Sequence, residues 1–497
     1  MLAISREIHK PQEKALALYH IGRVYQDWGK YEQAVSYYQQ SRELYQQLGR
    51  DNNVANQLSW LAYGYQGWGK YEQAVNYYQQ SRELHQQLSR DNNVADQWYN
   101  LAGCYLDWGK YQQAVECENQ NLAIRQQLDD QVNIASAYFQ LGLIYQAWGK
   151  YEQAVNYCQQ SRELYQQLSR DNNVADQWYN LAGCYREWGK YQQAVECENQ
   201  DLAIRQQLDD QVNIASAYFQ LGLIYQAWGK YEQAVNYCQQ SRELYQQLSR
   251  DNNVADQWYN LAGCYLDWGK YQQAVECENQ NLAIRQQLDD QVDIARAYFQ
   301  LGRIYQAWGK YEQAVNYYQQ SRELYQQLGQ DNSVANLWYW LASCYRDSKD
   351  YTKAIEYYQQ SIALHQLLGQ DESVARRYRQ LATCQGLLAK NTLNLTEASE
   401  LLSQAEQNIQ QAMTIDTAGE YQENLAYDYT SLGLICSECL RLLSSKDLVI
   451  QEQIVLFEEN CHRGLTYLDE LGQTVDKADE ALDMARAYLR DKIFRKS

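Results

Sequence analysis

The sequence predicts an all-α chain of stacked antiparallel helix pairs, an α-solenoid, and three observations carry that reading. A single proline, Pro11, occurs in 497 residues, and proline is the residue that most strongly breaks helices. The string Trp-Gly-Lys-Tyr begins at Trp28 and returns at Trp68, Trp108, Trp148, Trp188, Trp228, Trp268 and Trp308, every 40 residues. Between these strings, apolar residues recur at the spacing of a helix face rather than in alternation.

The repeat comes first, because a fixed period of this length marks a stacked array. A degraded copy of the string stands at Ser348–Tyr351 and a weaker one near Ala389. A second period of 80 lies over the first. Residues 101–180 and 181–260 differ only at Leu106/Arg186, Asp107/Glu187 and Asn121/Asp201. The third copy, 261–340, has drifted further, mostly toward its end. The unit duplicated most recently was therefore a pair of repeats.

Each repeat reads as two helices. In the first, Val94, Trp98, Leu101, Ala102, Tyr105 and Trp108 form one apolar stripe at a period near 3.6. Gly109 ends it, since glycine takes the left-handed conformation of a C-terminal cap at little cost. In the second, Tyr151, Ala154, Val155, Cys158, Leu164 and Leu168 repeat the pattern. The cluster Asp91-Asn92-Asn93 is expected to separate repeats and to cap the helix that follows.

Composition bounds the function. Apolar residues make up 45%, enough for a sizeable core, and the aromatic share is skewed to 47 Tyr and 14 Trp against 5 Phe. The net charge of -19 repels nucleic acid and anionic membranes and favours basic partners. No run of 18 apolar residues is present, and the opening MLAISREIHKPQEK lacks the apolar segment of a secretory signal. Many of the 13 cysteines, such as Cys104, Cys184 and Cys264, recur at fixed places within repeats. They read as reduced thiols acting as small hydrophobes, and the expected compartment is the cytoplasm.

Two segments carry a family resemblance. Trp98-x2-Leu101-Ala102-x2-Tyr105-x3-Gly109-x-Tyr111-x2-Ala114 and Tyr138-x2-Leu141-Gly142-x2-Tyr145-x3-Gly149-x-Tyr151-x2-Ala154 resemble the tetratricopeptide repeat signature. The match recurs about nine times over roughly residues 12–370. The period is 40 rather than 34, and the proline after the second helix is missing, so both helices are expected to be longer by about a turn. The array is similar to the long-repeat arrays of cyanobacterial regulatory proteins. The resemblance implies a right-handed superhelix, with first helices lining a concave face and second helices a convex one.

The ends are less regular. Residues 1–11 read as the tail of a second helix, with Leu2-Ala3-Ile4-Ser5-Arg6-Glu7 set against Leu122-Ala123-Ile124-Arg125. Either a short helix caps the array there, or the chain is part of a longer protein. Residues 12–390 are expected to form the solenoid. Residues 391–497 are expected to form irregular helical pairs that close it, over 396–414, 419–443, 446–471 and 475–494, after an insertion at Asn391–Asn394. The basic residues Arg490, Lys492, Arg495 and Lys496 fit the favourable charge of a helix C-terminus.

No motif for catalysis or for a cofactor is found: no phosphate-binding glycine loop, no nucleophile elbow, no His-Glu-x-x-His. One cluster has metal-ligand character, Cys436 and Cys439 followed by Cys461 and His462. Cys436 and Cys439 stand three apart on an expected helix, where they serve equally as core, and adjacent Cys461 and His462 point to different faces.

The resemblance also places a site. Counted from the signature leucine, residues two back face the concave groove: Tyr99, Phe139, Tyr179, Phe219, Tyr259, Phe299 and Tyr339. Two after it lie Gly103, Leu143, Gly183, Leu223, Gly263, Arg303 and Ser343. Five before it lie Asp96, Ser136, Asp176, Ser216, Asp256, Arg296 and Asn336, and near the helix end lie Asp107, Glu187, Asp267 and Asp347. The groove is thus expected to be an aromatic ladder of alternating Tyr-Gly-Asp and Phe-Leu-Ser character. Its aromatics offer contact area and its aspartates select Lys or Arg on a ligand. The competing reading is that these aromatics only pack between neighbouring first helices. The Lys and Asn of chaperone-tail-binding relatives are absent. The function expected is a non-enzymatic adaptor that binds a protein or peptide along this groove. The alternative is the sensor portion of a larger signalling protein, with a nucleotide-driven switch or a protease outside this chain.

Overall fold

The computed structural model describes residues 10–419 together with Asn424, Leu425, Tyr427, Asp428 and Ser431. Its regular structure is helical, from Pro11–Asp27 to Leu395–Ala418, and no strand occurs among the described residues. The chain divides into two compact units, residues 1–249 and 250–497. In the first, helix pairs run from Pro11–Asp27 with Tyr31–Gln47 to Gln211–Ala227 with Tyr231–Gln247. In the second, they run from Asp251–Asp267 with Tyr271–Gln287 to Asp331–Asp347 with Tyr351–Leu367, followed by two longer helices.

Two 17-residue helices and two three-residue turns fill each 40-residue period, as in Asp91–Asp107 and Tyr111–Gln127. Such a helix is about 25 Å long. The Trp-Gly-Lys-Tyr string makes the turn inside a repeat. Gly109 sits at φ 74°, and its N–H donates to the Leu106 carbonyl at 2.9 Å while Lys110 N–H donates to Tyr105 at 2.8 Å. This is the Schellman closure, which places its third residue in the region that glycine enters freely. The other three residues of the string join repeat to repeat. Lys110 Nζ stands 3.4 Å from the Trp108 ring centre. That ring stacks on Tyr71 of the preceding repeat at 6.0 Å and near Tyr105 at 6.3 Å. Sequence periodicity assigns Trp108 to the buried stripe; it is in fact half-buried, and works at the edge through stacking and a cation–π contact.

The turn between repeats corrects the capping expectation. Asp91, Asn92 and Asn93 lie inside the first turn of their helix, and Arg90, the residue before it, makes no side-chain cap. Acids in a first turn still favour the helix through its dipole. Side-chain caps do occur at Asp130, Asp210, Asp290 and Asp350. Ser89 and Asp129 adopt φ of 54° and 52° without being glycine.

The core is built on small residues and the signature leucine. Leu101, Ala102 and Ala114 are buried, and truncating such a leucine to alanine costs about 2–5 kcal/mol. At Gly142 an added Cβ would meet Cys158 Sγ at 2.6 Å, so the two helices of that repeat require glycine there. Ser161 Oγ donates to the Ala135 carbonyl at 2.7 Å, and Ser41, Ser81, Ser321 and Ser361 make the same bond in their own repeats. The described cysteines are buried free thiols.

Helix Asp371–Asn391 runs to 21 residues, and Asn394 caps Leu395–Ala418 by accepting from Thr396 and Glu397 N–H. The helix read from sequence as 396–414 is thus longer at both ends. Arg379, in this second unit, is buried between Asp416 at 2.6 Å and Asp428 at 2.8 Å. The segments 446–471 and 475–494, nearly all of 419–443 and most of the partial repeat 1–11 lie outside the described residues, as do Cys436, Cys439, Cys461 and His462. Among the described residues no three His, Cys, Asp or Glu side chains are placed to hold a metal ion.

Candidate functional site

In each of the two units the first helices carry the aromatic register of the repeat. In the first unit Tyr99 and Tyr179 are exposed, at 41% and 36%, while Phe139 and Phe219 are half-buried. In the second unit Tyr259, Phe299 and Tyr339 are all half-buried. The row is therefore present in each unit, but its members do not stand equally free. Tyr179 Oη accepts from Gln220 Nε2 of the next first helix. Phe299 packs 5.9 Å from Tyr318 and 5.5 Å from Trp340. Tyr339 lies 5.9 Å from Tyr358, with the Arg377 guanidinium 4.0 Å over its ring. Packing and exposure thus share the row: Tyr99 and Tyr179 offer surface, and Phe299 and Tyr339 are held by neighbours.

The aspartates five residues before the signature leucine are not bare charges. Asp96, Asp176 and Asp256 each accept from the guanidinium of an arginine 29 residues later: Arg125, Arg205 and Arg285. The arginines are buried in the second helix of the same repeat, and only the aspartate carboxylates reach solvent. Such a pair has a neutral outer surface and a weakened pull on a ligand cation. Arg296, at the same register, is paired to Asp293, and Asn336 accepts from Arg377 at 3.2 Å. The acids near the helix ends have partners too. Asp107 accepts from Gln66 at 2.6 Å, Glu187 from Gln146 at 2.9 Å and Asp347 from Gln306 at 2.7 Å. Asp267 closes the equivalent helix Asp251–Asp267. Gly103 leaves open space beside Tyr99, since a Cβ there would meet nothing within 4 Å.

Beneath the tyrosines lies a polar cluster that sequence reading missed. Glu118 is fully buried; its Oε1 accepts from Asn121 at 2.7 Å and its Oε2 has no partner. Glu278 repeats this with Asn281. In the middle copy Asp201 replaces asparagine and pairs with Arg205 at 3.1 Å, leaving both oxygens of Glu198 unpartnered. Burial pushes Glu118 up to about 7 and Glu278 to about 8. Burial, then the Asp201 charge, pushes Glu198 to about 9. Burial also raises the hydroxyls of Tyr99 and Tyr259, with Glu118 and Glu278 next in effect. The signal was available: Glu118, Asn121 and Arg125 return as Glu198, Asp201 and Arg205 and as Glu278, Asn281 and Arg285 at the 80-residue period, with Cys158, Ser161 and Tyr165 at the same registers between.

A tetratricopeptide repeat model matches residues 53–127, 93–167, 133–207, 176–247, 213–287, 253–327 and 333–392, and a second such model matches 15–50. No curated protein sequence matches the chain. Among solved structures the chain is similar to BtubC from P. vanneervenii, at 23% identity over 44% of this chain and 92% of that one, TM-score 0.39. Yeast Tom70 aligns at 16% identity over 98% of each chain, TM-score 0.44. The STAND protein PH0952 from Pyrococcus horikoshii, which carries a tetratricopeptide repeat sensor, aligns at 16% over 75% of this chain and 55% of its own, TM-score 0.43.

Proposed function

Since this chain belongs to the tetratricopeptide repeat family, we propose that it is a non-enzymatic scaffold that captures a protein or peptide along the face of its first helices. The observation that carries this is the pair Tyr99 and Tyr179, large aromatic side chains left exposed at the same register of two near-identical repeats. A half-exposed tyrosine gives contact area at small cost in side-chain entropy, which is why such residues anchor interfaces. Phe139 and Phe219 fill the intervening repeats, so the surface alternates hydroxyl and hydrocarbon at 40-residue steps. Selection of basic ligand residues by Asp96, Asp176 and Asp256 is the finer part of the reading. It rests on the carboxylate oxygen of each that faces water beside its arginine. The net charge of -19 disfavours nucleic-acid and anionic-membrane partners, and no described helix is long and apolar enough to cross a membrane. A cytoplasmic location is part of the same proposal.

The test is affinity capture with the full chain against a Tyr99→Ala/Tyr179→Ala variant. A partner bound by the first and lost by the second supports the face. Undiminished recovery by the variant sinks it. Charge reversal at Asp96 is the poorer test, because a lysine there would set a second cation against the buried Arg125 and so perturb the fold as well as the surface.

A further inference from the structure

Two buried thiols face each other across one junction of the first unit. Cys158 lies in the second helix Tyr151–Gln167, and Cys184 in the next first helix, Asp171–Glu187. Both are fully buried and belong to one apolar cluster. Their sulfurs converge on a third helix, Gln131–Ala147. A Cβ added at Gly142 would stand 2.6 Å from Cys158 Sγ. Cys184 Sγ donates to Gln146 Oε1 at 3.2 Å, one turn further along that helix. The two thiols are in hydrogen-bond contact with each other.

The same two registers are filled differently at the other junctions of this unit: Tyr38 with Gly64, Tyr78 with Cys104, Glu118 with Ile144 and Glu198 with Ile224. Filling the space does not need sulfur on both sides, and only the Cys158 junction of the first unit has it. The pair is quiet while that junction is closed. The Cys184 thiol, and then burial, hold the Cys158 thiol well above its ordinary range, and the thiolate is the reactive form. Oxidation therefore waits on opening. Stacked repeats open locally, because each is held by its neighbours alone.

We propose that Cys158 and Cys184 form a peroxide-sensitive staple, a disulfide that ties one repeat to the next once the junction has opened and reclosed. The thiolate exposed by opening attacks one oxygen of hydrogen peroxide. The O–O bond breaks, the other oxygen takes the proton shed by the thiol and leaves as water, and a sulfenic acid remains. On reclosure the partner thiol attacks that sulfur. The S–S bond forms, the S–O bond breaks, and the second thiol proton leaves with the oxygen as water. The two sulfurs together give up two electrons and the peroxide takes them, so two thiols and one peroxide yield one disulfide and two waters. The pair lies in the interior and shares no residue with the tyrosine face, so its failure and the failure of that reading are separate events.

The test treats the full chain with hydrogen peroxide, with and without urea below the unfolding transition. Free thiols are then alkylated in denaturant, and tryptic peptides are read by mass spectrometry. Expected is the linked pair Tyr151–Arg162 with Asp171–Arg186, formed severalfold faster in urea and lost on treatment with dithiothreitol. Cys158→Ala and Cys184→Ala should each abolish it. Cys238→Ala should keep it; this variant is needed because residues 231–242 repeat the sequence of 151–162. Amide exchange in the two stapled helices should slow by about tenfold in the oxidised chain and recover with dithiothreitol. Four results overturn the proposal: a link from Cys184 to Cys197, the third thiol of the cluster; oxidation with no link; a linked pair that survives Cys158→Ala; or a rate unchanged by urea. Thermal melts confirm that the variants fold. Should Cys158→Ala not fold, the linked pair in Cys238→Ala, where residues 151–162 are the single source of that peptide, decides it.

Discussion

The outer repeats put tyrosine where the central ones alternate glutamate and cysteine. Tyr38, Tyr78, Tyr318 and Tyr358 occupy one buried position of the second helix, and between them it alternates Glu118, Cys158, Glu198, Cys238 and Glu278. The backbone around them is the same: 17-residue helices, the same turn and the same buried alanines. A tyrosine there fills the space and passes its hydroxyl to a glutamine, as Tyr318 does to Gln306 at 2.7 Å. A glutamate leaves unpartnered oxygens and has a buried arginine two turns along the same helix, Arg125, Arg205 or Arg285, to lower the cost of its charge. The repeat architecture is thus held by a short list of residues, and the remaining interior positions are free to carry titratable chemistry at a cost in stability.

The comparison breaks most sharply at Arg205. Arg205→Met removes the cation that balances Asp201 and Asp176, and the expected loss is ~3–5 kcal/mol, read as lost amide-exchange protection in Tyr191–Gln207. Tyr165, which fills the same register in the neighbouring repeat, anchors no charge, and Tyr165→Met should cost about 1–2 kcal/mol. Equal losses at the two sites would show that the arginine acts only as filler.

The second test is pH. Glu198 keeps its proton up to about 9 when folded, whereas an unfolded glutamate loses it near 4.3. Between those values the folded state binds more protons, so stability is highest on the acid side of the window and falls as pH rises through it. Glu198→Gln should flatten that slope, with a gain of roughly 2–4 kcal/mol at its alkaline end. Urea melts at pH 5, 7 and 9 measure it; parallel slopes for the two proteins would place the titration elsewhere.

The smallest effect belongs to the edge, where outer and central repeats agree. Lys150 stands 3.3 Å from the Trp148 ring centre, and Lys150→Gln should cost about 0.5–1 kcal/mol. A loss of that size at both Lys70 and Lys150 would confirm that the edge is common to both kinds of repeat.

Much of this was legible in the sequence. The period, the helix pairs, the turn at Gly109 and the packing alanines follow from local patterns, which one chain displays many times over. The pairing of Asp96 with Arg125 was not, because it joins residues 29 apart through the crossing of two helices, and helical period alone does not give that register. The aromatic register recurs as a row in the sequence, but its unequal exposure depends on what the next helix offers, glutamine beside Tyr179 and tryptophan beside Phe299. The capping role given to Asp91 failed because the helix starts one residue earlier than its acids suggest.

The alternation of interior residues has one more consequence, for how such a chain changes length. In the first unit the Cys158 thiol meets Cys184 of the next repeat, and the register of Cys184 is Ile144 and Ile224 in the flanking repeats. Each second helix is therefore fitted to a first helix of the opposite kind. Loss of a single 40-residue copy by recombination brings two helices of the wrong kinds together, whereas loss or gain of an 80-residue pair recreates a junction that already exists. The gene can lengthen or shorten by twos at no structural penalty, and by ones only with compensating change.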